Sequence, residues 1–314
     1  MEISELAANI NQPVFEDKLT QVYGSDRLES AKSRCTEATE GFRLTFGYPA
    51  QALFSAPGRT ELGGNHTDHQ RGCVLAAAVD LDILAAAAVT GSGAIRVLSQ
   101  GYPMTEVSLR ELTPQEGEKN TSAALIRGVA SRMQEMGCAL RGRGLDVYMT
   151  STVPKGSGLS SSAAFEVLMG RIINGLYFEN RLSSVEIAQI GQYAENVYFG
   201  KPCGLMDQTA SSVGGMVYID FKNTQAPIVE RVEYDFGGCG YTLCIVDSGA
   251  DHAGLTKSYA AIPEELHRVC GVFGKEYLRD VDEAEFYRRL PEVGQRRATG
   301  PSFGRCTYST TTGE

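Results

Sequence analysis

Val153-Pro-Lys-Gly-Ser-Gly-Leu-Ser-Ser-Ser-Ala-Ala164 joins two kinds of local pattern. Upstream, Leu145, Val147, Met149 and Ser151 alternate with polar or exposed partners, the period of a strand that runs into Pro154. Downstream, Ala163 to Leu176 is an apolar run with helical character. Between them, Gly156 and Gly158 let the backbone turn its N–H groups toward one point. The serines that follow open the helix, so unpaired N–H groups and the helix dipole face an anion. Strand, Gly/Ser loop and helix N-terminus together predict a phosphate cradle. It is not a Walker A loop, because no Lys-Ser/Thr follows the second glycine. A capped helix after a flexible turn is the plainer reading of the same residues.

Moving outward, Ser55-Ala-Pro-Gly-Arg-Thr-Glu-Leu-Gly-Gly-Asn-His-Thr-Asp-His-Gln-Arg-Gly72 packs Arg59, His66 and Asp68 closely after Pro57-Gly58. Hydroxyl-rich ligands need such a cluster of planar donors and acceptors. Two loop histidines, or a metal site of His66, Asp68 and His69, are the other readings. Ala194-Glu-Asn-Val-Tyr-Phe-Gly-Lys-Pro-Cys-Gly-Leu-Met-Asp-Gln208 places Glu195 near a helix end. Breaks at Gly200 and Pro202 precede Asp207 in a second polar turn. Taken singly, both carboxylates also read as solvated or capping groups.

These segments resemble the galactokinase type of the GHMP kinase superfamily. The 153–164 stretch is similar to the second GHMP motif, Pro-x-x-x-Gly-Leu-Ser-Ser-Ser-Ala. That resemblance implies an ATP-phosphate site made by Pro154, Lys155, Gly156, Ser157, Gly158, Leu159, Ser160, Ser161, Ser162 and Ala163. The 55–72 stretch resembles the galactokinase signature Pro-Gly-Arg-Val-Asn-Leu-Ile-Gly-Glu-His-Thr-Asp-Tyr, which implies that Arg59 assists phosphoryl transfer. It also implies that Asn65, His66 and Asp68 hold sugar hydroxyls. Here Asn65 replaces the family's sugar-binding Glu, His69 replaces Tyr and Glu61 replaces Asn. A neutral acceptor in place of an ionised one weakens one hydroxyl contact by about 1–2 kcal/mol. The third segment resembles the family stretch ending Gly-x-Pro-Cys-Gly-Ile-Met-Asp-Gln. By that resemblance Gly204 and Asp207 face the sugar, Asp207 is the candidate base, and Glu195 with Ser162 holds Mg²⁺. Ser258-Tyr259 stands where the family has a Ser-x-Tyr element, implying a sugar contact from Tyr259, although the arginines that normally follow are replaced by Ile262-Pro-Glu-Glu.

The 314 residues allow two domains, each with a core. A net charge of −9 argues against nucleic-acid binding, which needs a basic surface. Met1 to Gln12 has no signal-like apolar core. The longest apolar run, Cys73 to Val89, is interrupted by Asp80 and Asp82, so soluble β-structure explains it better than a membrane span. Eight scattered cysteines without a C-x-x-C pair read as reduced thiols of a cytoplasmic protein. Helices are predicted over Phe15–Phe46, Thr121–Met136, Ile262–Arg279 and Asp282–Leu290, and from a Ser183/Glu186 capping box to about Phe199. Strands are predicted at Ala52–Ala56 (ending at Pro57-Gly58), Val74–Val89, Ala94–Leu98 and Tyr241–Val246.

The mixture is α+β. The resemblance, which runs from about Gln21 to Leu290, implies the GHMP kinase fold. Its N-terminal domain over 1–215 is of the ribosomal S5 domain 2-like type, and its ferredoxin-like second domain over 216–295 is incomplete, lacking the family's third glycine-rich motif. Residues 296–314 form an unpatterned tail. The implied ligands are a small sugar, ATP and Mg²⁺, with neither nucleic acid nor membrane as partner. A kinase-like sensor of sugar and ATP is the second reading.

Overall fold

The computed structural model describes residue 6, residues 9–246 and residues 256–295, with side chains at 256–260 and 294–295 left aside. The tail over 296–314 lies outside the described residues. The chain forms two compact units: Met1–Arg59 with Ala78–Cys203 and Asp207–Gly214, and Thr60–Ala77 with Gly204–Met206 and Gly215–Glu314.

The first unit contains helices α1 (Pro13–Tyr23) and α2 (Leu28–Phe46), followed by strand β1 (Ala52–Gly63), whose last residues belong to the second unit. Then come β2 (Cys73–Thr90), β3 (Ala94–Ser99), β4 (Thr105–Ser108), α3 (Ser122–Glu135) and β5 (Gly144–Ser151). Helices α4 (Ser161–Tyr177) and α5 (Ser184–Tyr193), a π-helical turn (Ala194–Phe199) and α6 (Met206–Val213) complete the elements that concern it. β3 runs antiparallel to β4 and parallel to β5. β5 lies antiparallel to β2, with Ile83 opposite Ser151 and Thr90 opposite Gly144.

Alternate residues of β2 point to opposite faces. Ala85 and Ala87 pack with Ile126 and Met133 of α3 and Leu168 and Ile172 of α4. Leu84, Ala86 and Ala88 pack with Ala31, Cys35 and Phe42 of α2. A strand buried on both faces reads as a continuous apolar run, which accounts for Cys73–Val89. Its charges are paired: Asp82 accepts from Arg34 at 2.7 Å, and Asp80 faces Arg27.

In the second unit, Cys73–Ala77 of β2 pair antiparallel with β6 (Met216–Asp220), which pairs antiparallel with β7 (Ile228–Arg231). Helices α7 (Thr256–Val272), α8 (Glu283–Arg288) and α9 (Leu290–Gln295) follow. Val269, Val281, Phe286 and Val293 form a small core.

Several expectations change. The single helix over Phe15–Phe46 is two helices, because Gly24 at φ 83° leaves the helical region. β1 does not stop at Pro57-Gly58 but passes through it. Gly58 serves close approach rather than a turn: a Cβ there would lie 2.8 Å from the Leu159 carbonyl oxygen. Tyr241–Val246 is not a strand; these residues are exposed and have no partner strand among the described residues. Strand-like composition does not hold a strand that has nothing to pair with. The helix expected over Ile262–Arg279 starts earlier, at Thr256, and ends at Val272, and Gly274 follows at φ 63°. The Ser183/Glu186 capping box forms as expected, but its helix widens into the π turn at Ala194.

Candidate active site

In the first unit, β5 delivers the chain to the glycine loop, and buried Leu159 anchors the loop against the core. Gly156 (φ 70°), Gly158 (φ 76°) and Ser160 (φ 57°) all take left-handed backbone. Ser160 stands at the N-cap of α4, yet its side chain makes no cap. Its hydroxyl instead donates to Asp207 Oδ2. The first-turn N–H groups, which have no acceptor within their own helix, therefore receive none from Ser160. Lys155, in the same loop, lies over the Tyr102 ring at 4.0 Å.

Arg59 meets Asp207 side-on, with Nε 2.7 Å from Oδ1 and Nη2 2.6 Å from Oδ2. Arg59 Nη1 donates to the Gly158 carbonyl at 2.7 Å, tying the same guanidinium to the glycine loop. The planar fork fits the carboxylate with two parallel bonds, which fixes orientation as well as charge.

Ser162 and Glu195 come together as well: the hydroxyl lies 3.3 Å from Glu195 Oε1. Glu195 is buried at 2% exposure at the start of the π turn. Lys201 Nζ lies 3.1 Å from the same Oε1, and Gln208 Nε2 donates to Oε2 at 3.0 Å. Gln208 Nε2 also donates at 3.0 Å to Glu166, which is fully buried on α4. Burial, reinforced by the charge of Glu195, pushes the Glu166 carboxyl well above the usual carboxylate range.

The second unit holds the other cluster. Asn65 and His66 both adopt left-handed backbone, at φ 55° and 54°, and both are exposed. Asp68 is buried and accepts the N–H groups of His69 and Met206, each at 3.0 Å. The Nδ1 atoms of His66 and His69 stand 3.9 and 3.7 Å from Asp68 Oδ1. Gly204 presses directly against this carboxylate. Met206, which donates to Asp68, precedes Asp207 in the chain. Tyr259 lies in α7, with its side chain outside the described residues. Among the described residues, no group of three or more His, Cys, Asp or Glu is placed to hold a metal ion, which counts against the His66/Asp68/His69 metal reading.

Burial acts to raise the Asp68 pKa, but the two imidazoles and the Met206 N–H outweigh it and hold the carboxyl well below its ordinary value. A depressed folded pKa means that the stabilisation is complete above the unfolded value, about 3.9, and disappears as pH falls toward the folded one. The stability gap between the native chain and Asp68→Asn should therefore shrink below about pH 4. Urea midpoints across pH test this; a gap that grows with acid contradicts the assignment.

Residues 124–215 match the GHMP kinases N terminal domain, and residues 40–89 match the galactokinase galactose-binding signature. Curated galactokinases of Streptomyces coelicolor and Actinobacillus pleuropneumoniae serotype 3 are 33% and 34% identical to this chain, over 81% and 82% of its length. Over these stretches the chain is similar to galactokinases of the GHMP kinase type. It spans 65% of the length of each of those two galactokinases. Lactococcus lactis galactokinase, solved in complex with galactose, shares the fold at TM-score 0.66 and 24% identity, covering 82% of this chain and 67% of its own. Methanococcus jannaschii mevalonate kinase matches at TM-score 0.51 and 16% identity, over 78% of this chain and 73% of its own.

In galactokinase terms, the oxygens of Ser162 and Glu195 suit a hard cation, and Glu195 is a buried anion that needs positive charge beside it. Two such protein oxygens would also suit the habit of Mg²⁺ of keeping water and phosphate oxygens in its shell. The motifs did not flag Glu166, Lys201 or Gln208 as members of this cluster. A usable signal did exist for Glu166, the one acidic residue in the apolar run Ala163–Leu176, one turn beyond Ser162. No helix among the described residues is long and apolar enough to cross a membrane.

Proposed function

We propose that this chain is an ATP-dependent sugar 1-kinase, converting D-galactose and ATP to galactose 1-phosphate and ADP. The observation that carries the reading is the two-bonded Arg59–Asp207 pair, whose arginine also holds the glycine loop.

Phosphoryl transfer asks the protein for placement and charge, with little covalent chemistry. The amides of the 154–163 loop and the first turn of α4 bind the ATP phosphates, as backbone N–H groups at a helix N-terminus do for anions. Ser162 and Glu195 would hold Mg²⁺, which when bound neutralises phosphate charge. Asn65, His66 and Asp68 bind sugar hydroxyls, with Gly204 leaving room for Asp68 and Tyr259 contributing from α7. The sugar C1 hydroxyl oxygen bonds to the γ-phosphorus, the bond from that phosphorus to the β–γ bridging oxygen breaks to release ADP, and the proton of the C1 hydroxyl passes to Asp207. Arg59 orients Asp207 and offsets charge on the transferring group. Scattered cysteines without a C-x-x-C pair support a cytoplasmic setting.

A sensor that binds both ligands without turnover is favoured by one observation, the neutral Asn65 where the family has its sugar-binding Glu. ADP release with Mg-ATP against a sugar panel headed by galactose separates the two. It is measured on this chain and on a version extended to the length of the relatives. Sugar-dependent ADP from either supports the kinase; binding without ADP from both supports the sensor.

A further inference from the structure

Lys201 has no place in the chemistry above, yet its ammonium lies 3.1 Å from Glu195 Oε1, the oxygen that also accepts from Ser162. Local folding puts it there. The π turn closes at Gly200, whose left-handed backbone (φ 85°) folds the chain back. The N–H groups of Gly200 and Lys201 then both bond to the Glu195 carbonyl, at 3.0 and 3.2 Å. The lysine side chain is thereby returned onto the carboxylate that begins the turn. Glu195 has lost nearly all its water, and a buried carboxylate without a cation is costly. Among the described residues, Lys201 is the cation ion-paired with Glu195. Beside the carboxylate also stand the Gln208 amide, the Cys203 thiol and the Glu166 carboxyl, none of which brings positive charge.

We propose that Lys201 is an internal counter-cation at the metal position, holding Glu195 when no divalent ion is present and yielding Oε1 when one binds. The inference rests on the assignment of Glu195 as a metal ligand. Two cations cannot share one oxygen without strong repulsion, so binding the ion requires the ammonium to leave. The lysine side chain is half exposed on a flexible four-carbon stem, so it can move into water without unfolding the turn. Lys201 is thus a positioning residue: it keeps the carboxylate ordered for the ion and lowers its net affinity through competition.

Thermal midpoints of the full chain, without nucleotide or sugar, test this in a chelator and in millimolar Mn²⁺. In chelator, Lys201→Met should melt about 3 °C lower, a discounted figure because the ammonium is partly solvated. Lys201→Arg should stay near the native value. Adding Glu195→Gln to Lys201→Met should restore most of the loss, since the orphaned charge is then gone. Mn²⁺ should raise the Lys201→Met midpoint by about 3 °C more than it raises the native one. A double variant no more stable than Lys201→Met, or unable to fold, overturns the proposal, as does an equal Mn²⁺ response in both proteins. Lack of sugar-dependent ADP release would sink the kinase reading separately and leaves these midpoints untouched.

Discussion

Asp207→Asn should lower sugar-dependent ADP release at least ~10²-fold while nucleotide binding survives. The amide keeps the carboxylate's shape but cannot take a proton at neutral pH. One of its two heads is also an NH₂ group, which must face the Arg59 fork or the Ser160 hydroxyl. At least one of the two parallel bonds is lost, and Arg59, itself buried, no longer faces the Asp207 charge. Breaking the pair should cost about 2 kcal/mol of stability, below the range for fully buried pairs because Asp207 retains some water. Arg59 remains tied to the Gly158 carbonyl and the loop's glycines are unchanged, so nucleotide affinity should change little even though the Ser160 contact is altered. Turnover and equilibrium binding of an ATP analogue separate the effects. Unchanged turnover removes Asp207 from the mechanism, and joint loss of binding and turnover assigns the pair to loop structure instead.

Gly204→Ala should be strongly destabilising, since its methyl would approach a neighbour more closely than at any other glycine among the described residues. A Cβ at 204 would sit 1.8 Å from Asp68 Oδ2 and 2.3 Å from its Cγ, far inside contact distance. Asp68 cannot swing clear cheaply, because it is buried and holds the N–H groups of His69 and Met206. Moving it strands those donors, and leaving it forces the backbone apart. Either way the expected cost is about 2–4 kcal/mol. Urea midpoints give the size, and a second measurement gives the cause. In an Asp68→Ala background the clash partner is gone, so the glycine change should cost far less. Simple additivity would mean that Gly204 matters for backbone freedom rather than for room beside the carboxylate. In the kinase reading, galactose affinity should fall with the same change, since Asp68 would be displaced.

The segments that matter could be found without coordinates because their signals are local. Gly156 and Gly158 take positive φ, as their lack of a side chain permits, and the helix opens within the serines at Ser161, just ahead of the apolar run. The Ser183/Glu186 box works through residues three apart and needs no distant partner. Elements failed where the signal depended on context. Pro57-Gly58 has turn chemistry, but the glycine is spent on close approach to Leu159. Tyr241–Val246 has strand composition and no partner strand among the described residues. Glu166, Lys201 and Gln208 escaped because each is an ordinary residue until packing sets it beside Glu195.

Backbone preference and short-range periodicity were enough to place a strand, a glycine loop and a helix start around Gly158, since those forces act over a few residues. The partnerships that give the cluster its chemistry act over far longer separations. Arg59 finds Asp207 across 148 residues, and Ser162 finds Glu195 across 33. Such pairs are set by how the sheet buries both faces of β2 and how α4 packs against it, because burial leaves each charge one affordable arrangement.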